Sequence, residues 1–303
     1  VAVVAAAGVA AVEVKFSDRV GLGWRPQLAA HILANLDAVD TLEVIADNYF
    51  SASKKSIQSL QFLARQISVS LHGVGMGLAS SLPMENQRAE KMARLVNKIQ
   101  PEFWSEHLAF VRAGGIEIGH LAAAPRNQQT VDGAIKNIQA ASTIVGSLPH
   151  LENIATLIQP PGSTFTETEW ITQIIQKSNA PFLLDLHNLY ANAKNFGHEP
   201  IVLLQQLPLE RVSTIHLSGG CWINEVDGAG QRLLDDHVHD VPPELFDLLE
   251  WVAQFSKQNL TVIIERDGNF PVFAELRKQL DLARTALQKG RAMARLRGVH
   301  ECA

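Results

Sequence analysis

The sequence predicts an α/β chain folded as a single-domain, TIM-like (β/α)8 barrel. Two observations carry that prediction. Eight short apolar segments recur along the 303 residues, with helical patterns between them. Six of these segments carry a His, Asp or Glu at or near an end. The segments are apolar without strict alternation, as expected of parallel strands covered on both faces.

The expected strands are Val20–Trp24, Thr41–Ala46, Ile67–His72, Glu102–His107, Leu151–Ala155, Pro181–Leu186, Val212–His216 and Leu260–Glu265. Helical spacing of apolar residues marks Met84–Lys98, Val131–Val145, Glu167–Ser178, Pro242–Lys257 and Phe273–Gln288. A doubly wound open sheet is the alternative. Its glycine-rich fingerprint is missing, because Gly21-Leu22-Gly23-Trp24 has neither the third glycine nor a helix start. The expected organisation is an extension over residues 1–15, a barrel over 16–288 and a tail over 289–303, whose basic stretch Lys289 to Arg297 reads as a solvated helix end.

Composition narrows the function. A hydrophobic content of 47% suits a large core, and the net charge of −5 argues against a nucleic-acid groove. No apolar run is long enough to span a bilayer. Two cysteines, Cys221 and Cys302, are too few for a disulfide framework and fit a reducing, cytoplasmic setting. Cys221 reads as a small buried hydrophobe.

The chemistry lies in the strand ends. His72, His107, Glu152, Asp185, His216 and Glu265 fall at or near them, with Glu152 nearer the start of its segment. Parallel barrels place their active sites at the C-terminal ends of the strands. Asp185 and His187, two apart on a strand, are expected to share a face, with Asn188 turning toward the next loop. Asp235 and His237 form a second Asp-x-His pair in a loop. Four histidines (His72, His107, His216, His237) and four carboxylates (Glu152, Asp185, Asp235, Glu265), with His187 and Asn188 in addition, are too many for one ion and suit two or three. Imidazole and carboxylate ligands without thiolate point to iron, manganese or zinc. Glu106, Asp236 and His239 read as outer neighbours of the site. His31, His120, His150, His198 and His300 read as surface or structural residues.

The ordered series Val20-Gly21-Leu22-Gly23-Trp24-Arg25-Pro26, Leu42-Glu43-Val44, Leu71-His72-Gly73, Ser105-Glu106-His107, Leu151-Glu152-Asn153, Asp185-Leu186-His187-Asn188, Ile215-His216-Leu217 and Glu265-Arg266-Asp267-Gly268 resembles the multinuclear non-heme iron-dependent oxidative enzymes, formerly domain of unknown function 692. The resemblance runs from about Val20 to about Leu287. It implies two or three irons of mixed ferrous and ferric state, O2 as co-substrate, and oxidation of a ribosomally made precursor peptide, usually at cysteine. It implies the ligands His72, His107, Glu152, Asp185, His216, Asp235, His237 and Glu265, and a small partner protein that holds the peptide leader. His187 stands where the family's Asp-x-Asn-Asn segment has Asn, and Asp47 stands where Glu is usual. Asp267 and Arg266 are candidates for orienting ligands or peptide. The competing expectations are a zinc or manganese sugar isomerase or endonuclease-like hydrolase of related barrel shape, and a non-catalytic peptide binder.

Overall fold

Segments such as Phe182–Asp185 and Thr261–Ile264 are buried along their whole length. A strand with no exposed face and no free edge must have a neighbour on each side and a layer on each face. The computed structural model, which describes residues 17–113, 116–224 and 230–301, meets that requirement with a closed parallel barrel. Its strands are Arg19–Gly23, Thr41–Ile45, Ser68–Gly73, Trp104–His107, His150–Glu152, Phe182–Asp185, Val212–Leu217 and Thr261–Ile264, each hydrogen-bonded to the next in chain order. The first strand closes the ring against the eighth, with Arg19 opposite Thr261 and Leu22 opposite Ile264. The expected TIM-like barrel is the observed one. Helices pack outside it over a core that includes Leu42, Leu71, Trp104, Leu151, Leu184, Ile215 and Val262.

Local chemistry fixes the outer elements. Helix Gln128–Val145 opens with a reciprocal capping box between Asn127 and Thr130 and closes on left-handed Gly146. Helix Glu167–Ser178 opens with the same device between Thr166 and Glu169. Three features depart from the sequence expectation. Helices Lys54–Ala64 and Leu186–Phe196 were not expected. Two antiparallel hairpins, Phe110–Ala113 with Ile116–Ala122 and Gly220–Asn224 with Gln231–Asp235, rise beside the C-terminal end of the barrel. Helix Phe273–Glu301 also runs on well past Gln288. Within it Arg291 is buried, bonded to Asp18 and to the carbonyls of Ala253 and Ser256, while most of Lys289 to Arg297 is exposed, as expected of a solvated helix end. The expected extension over residues 1–15 lies outside the described residues, as do Cys302 and the side chain of His300.

Candidate metal centre

The end of the fifth strand organises the site. The strand is His150–Glu152, so Glu152 is its last residue rather than near its start, and it stands opposite His107 of the fourth strand. Glu152 Oε2 lies 3.4 Å from His72 Nε2 and 3.2 Å from His107 Nε2. His107 Nδ1 donates to the Gly73 carbonyl, 3.2 Å away, which leaves Nε2 to face the barrel axis. His72 Nδ1 is held by Ser105 Oγ at 2.8 Å and directs its own Nε2 the same way.

The other oxygen of Glu152 serves a second group. Glu152 Oε1 lies 3.2 Å, and Glu265 Oε2 3.1 Å, from His216 Nδ1. Asp185 completes a buried quartet with Glu152, His216 and Glu265. On the far side of the ring, His216 Nε2 meets both oxygens of Glu43, at 3.0 and 3.1 Å. The sequence reading missed Glu43 as a functional residue. The readable signal was a carboxylate between Leu42 and Val44 in a buried strand, where a charge needs a partner.

A third group lies nearer the mouth. Asp235 Oδ1 is 2.8 Å from His187 Nδ1, and Oδ2 is 2.9 Å from His237 Nε2. The route to this group differs from the expectation. The sixth strand stops at Asp185, whose side chain caps helix Leu186–Phe196 by accepting from Asn188 N at 2.7 Å. His187 and Asn188 therefore sit in the first turn of a helix, not on alternating strand positions. Asp235 ends the second strand of its hairpin rather than lying in a loop. Gly220 allows that hairpin to close, since a Cβ there would stand 2.2 Å from Leu234 O and 2.5 Å from His187 Cε1.

The donor set fits cations. Glu43 Oε1, Glu152 Oε2, Asp185 Oδ2 and Asn188 Oδ1 are buried and have no hydrogen-bond partner among the described residues. Buried acceptors are rarely left so. Glu152 Oε2 is close to two imidazole nitrogens without hydrogen-bond alignment. Two ligands about 2.1 Å from one ion and at right angles stand about 3 Å apart, which is the spacing seen here. The electrostatics agree. Burial works against a charged His107, yet Glu152, Glu106 and Glu265 outweigh it and raise its pKa to about 9. His216 is likewise raised against burial by Glu265, Glu43 and Glu152. Burial, with Asp235 and Glu152 as like charges, pushes Asp185 well up. Asp235 is lowered despite burial, by His187 and His237. The carboxylates draw protons onto the imidazoles, and cations would take those protons' place.

Around the centre, Glu106 is buried and accepts from Met76 N and His107 N. Asp267 bonds Arg25 at 2.7 Å and lies 3.6 Å from His237 Nδ1. Arg266 is bound to Asp240 and to the carbonyls of Gly268 and Asn269. His150 is at the opposite end of the barrel, stacked on Phe103. His31 stacks on Phe273. Cys221 is only partly buried and is grouped with Asp236 and His239, which corrects its reading as a buried hydrophobe. A cavity of about 670 Å³ opens onto the centre. His107, Glu152, Asn188, Asp235 and His237 form its polar floor, and Phe110, Leu121, Ile154, Leu157, Ile158 and Leu233 are among its apolar walls.

Fold and site define an enzyme-type TIM barrel whose open end gathers side chains that could hold cations under an apolar cavity. Residues 19–288 match the family described as RiPP precursor modification enzyme MbnB/TglH/ChrH, and the chain belongs to that family. It is 32% identical over 276 residues to a UPF0276 protein of Streptomyces avermitilis, covering 89% of this chain and 55% of that one. The chain thus spans about half the length of that relative. It is 29% identical to the UPF0276 protein AM1_3026 of Acaryochloris marina, covering 88% of this chain and 94% of the other. Among solved structures, a xylose isomerase domain protein from Planctomyces limnophilus shares the fold, with a TM-score of 0.55, 16% identity, and coverage of 91% and 98%. Among the described residues no helix is long and apolar enough to cross a membrane.

Proposed function

We propose that this chain oxidises a ribosomally made precursor peptide, at a cysteine, using two or three irons and O2. The observation that carries the reading is Glu152. Its two oxygens face separate groups of imidazole and carboxylate ligands, as a bridge between two ions would. His72, His107 and Glu152 would hold one iron, and Glu152, Asp185, His216 and Glu265 another. Asp235 and His237, with His187 or Asn188, are the ligands proposed for a third. When bound, the irons supply the one-electron chemistry with O2 that no side chain here can perform.

The chain's own residues do the rest. Ser105 and the Gly73 carbonyl fix the rings of His72 and His107, and Glu43 fixes His216. The apolar cavity walls would exclude bulk water and seat the peptide over the ligand floor. Arg25 and Asp267 hold the His237 side of the mouth, and in this reading Asp267 and Arg266 orient ligands and peptide rather than react. The reaction is assigned to the cytoplasm, where precursor peptides are made and thiols stay reduced. A small protein that holds the leader belongs to the same proposal.

The test is turnover of a Cys-containing precursor peptide by anaerobically purified enzyme, with and without O2. Oxygen-dependent mass change that is lost in His216→Ala supports the reading. Zinc or manganese loading with O2-independent activity on a sugar or nucleic acid would overturn it.

A further inference from the structure

One group of metal-type side chains lies outside the centre already described. Cys221 is the second residue of Gly220–Asn224, the first strand of the second hairpin. Asp236 and His239 follow the second strand, which ends at Asp235. A ligand atom from each of Cys221, Asp236 and His239 lies within 4.8 Å of the other two. Asp235 and Asp236 are adjacent on extended chain, so their side chains point opposite ways, one into the barrel centre and one out to this group.

We propose that Cys221, Asp236 and His239 form a separate cation site of the zinc class. A thiolate, an imidazole and a carboxylate together select zinc among the common divalent ions. Tetrahedral ligands about 2.2 Å from zinc stand about 3.6 Å apart, so the present spacing needs only small side-chain shifts. The backbone is already fixed around the site. Asp236 Oδ1 accepts from Val238 N at 3.0 Å, and His239 Nδ1 lies 3.0 and 2.8 Å from the two Asp236 oxygens. His237 N donates to Gly219 O at 3.0 Å. A Cβ on Gly219 would stand 2.3 Å from His239 O, so the loop is pressed against the backbone just before Cys221. The Cys221 thiol is itself hydrogen-bonded to Asp236, so thiol and imidazole both converge on the one carboxylate.

Three protein ligands leave the fourth position to water. Such a zinc would tie the first strand of the hairpin to the loop that follows Asp235 and carries His237, and so brace one wall of the cavity. The experiment is a cobalt(II) titration of the full chain carrying Cys302→Ser, so that Cys221 is its one thiol. Thiolate-to-cobalt charge transfer in the near ultraviolet reports Cys221 and is silent for the thiol-free centre in the barrel. The expected result is one saturating charge-transfer band with tetrahedral visible bands, displaced by zinc. The band is lost in Cys221→Ser and in His239→Ala, while iron content and the circular dichroism of both variants stay unchanged. No thiolate band, or a band that survives both His239→Ala and Asp236→Asn, would overturn the proposal. Neither outcome depends on what the barrel centre catalyses.

Discussion

Replacing Glu43 by Gln changes one atom type and little volume, yet it should loosen a metal ligand on the far side of an imidazole. Glu43 is 1% exposed and His216 is fully buried, so no water can take over if the carboxylate is lost. Both Glu43 oxygens lie within 3.1 Å of the same His216 nitrogen, Nε2. A carboxylate there keeps the proton on Nε2, turns the Nδ1 lone pair toward Glu152 and Glu265, and makes that nitrogen a stronger donor. Gln can still accept from Nε2 through its amide oxygen, but it brings no charge and can flip to offer N–H instead. Loss of such a partner typically weakens metal affinity by about 10- to 100-fold, or about 1.4 to 2.7 kcal/mol. The assay is iron retained per chain across a chelator series, with circular dichroism as the check on folding. The midpoint of iron loss should fall by at least tenfold in chelator concentration for Glu43→Gln. Identical midpoints in a folded variant would refute the assignment of Glu43 as the partner that orients His216.

Three further outcomes follow from other parts of the molecule. Gly220→Ala forces a Cβ against Leu234 O and the His187 ring, where backbone must yield; we expect a destabilisation of about 1–3 kcal/mol in thermal unfolding and reduced metal occupancy. Leu157→Asp puts a charge on a half-exposed part of the apolar wall; the lost contact, about 1 kcal/mol, should raise KM for the peptide roughly fivefold with iron content intact, and equal KM values would remove the wall from peptide binding. At the opposite end of the barrel, Arg19 beside Glu102 lowers the Glu102 pKa from its ordinary 4.5. A lowered carboxylate contributes stability that is present above its unfolded pKa and lost as pH falls through its folded one. Glu102→Gln should therefore cost less than about 1 kcal/mol at neutral pH, because the pair is partly exposed, and nothing once denaturation is run below the folded pKa of Glu102.

The barrel was legible because its strands are short apolar runs that alternate with helical patterns. The candidate ligands were legible because His72, His107, Asp185 and Glu265 follow such runs. What could not be read has physical causes. Asp185-Leu186-His187-Asn188 fits strand alternation as well as a helix start, and Asp185 as an N-cap with Gly197 past the end was the signal for the helix. The two hairpins are insertions on the barrel rather than members of it, so the eight-strand count carried no place for them. Their signals were local, such as Gly219-Gly220 before Cys221. Glu43 was hidden because its partner, His216, lies 173 positions away along the chain.

The most direct test of the central claim is metal content per chain after anaerobic purification, with Mössbauer spectra of iron-57-loaded protein. The account predicts two to three irons per chain with magnetically coupled or mixed-valent signals, and loss of that coupling in Glu152→Gln, the residue whose two oxygens face both ligand groups. One isolated iron, or zinc or manganese in place of iron after iron supplementation, would contradict it.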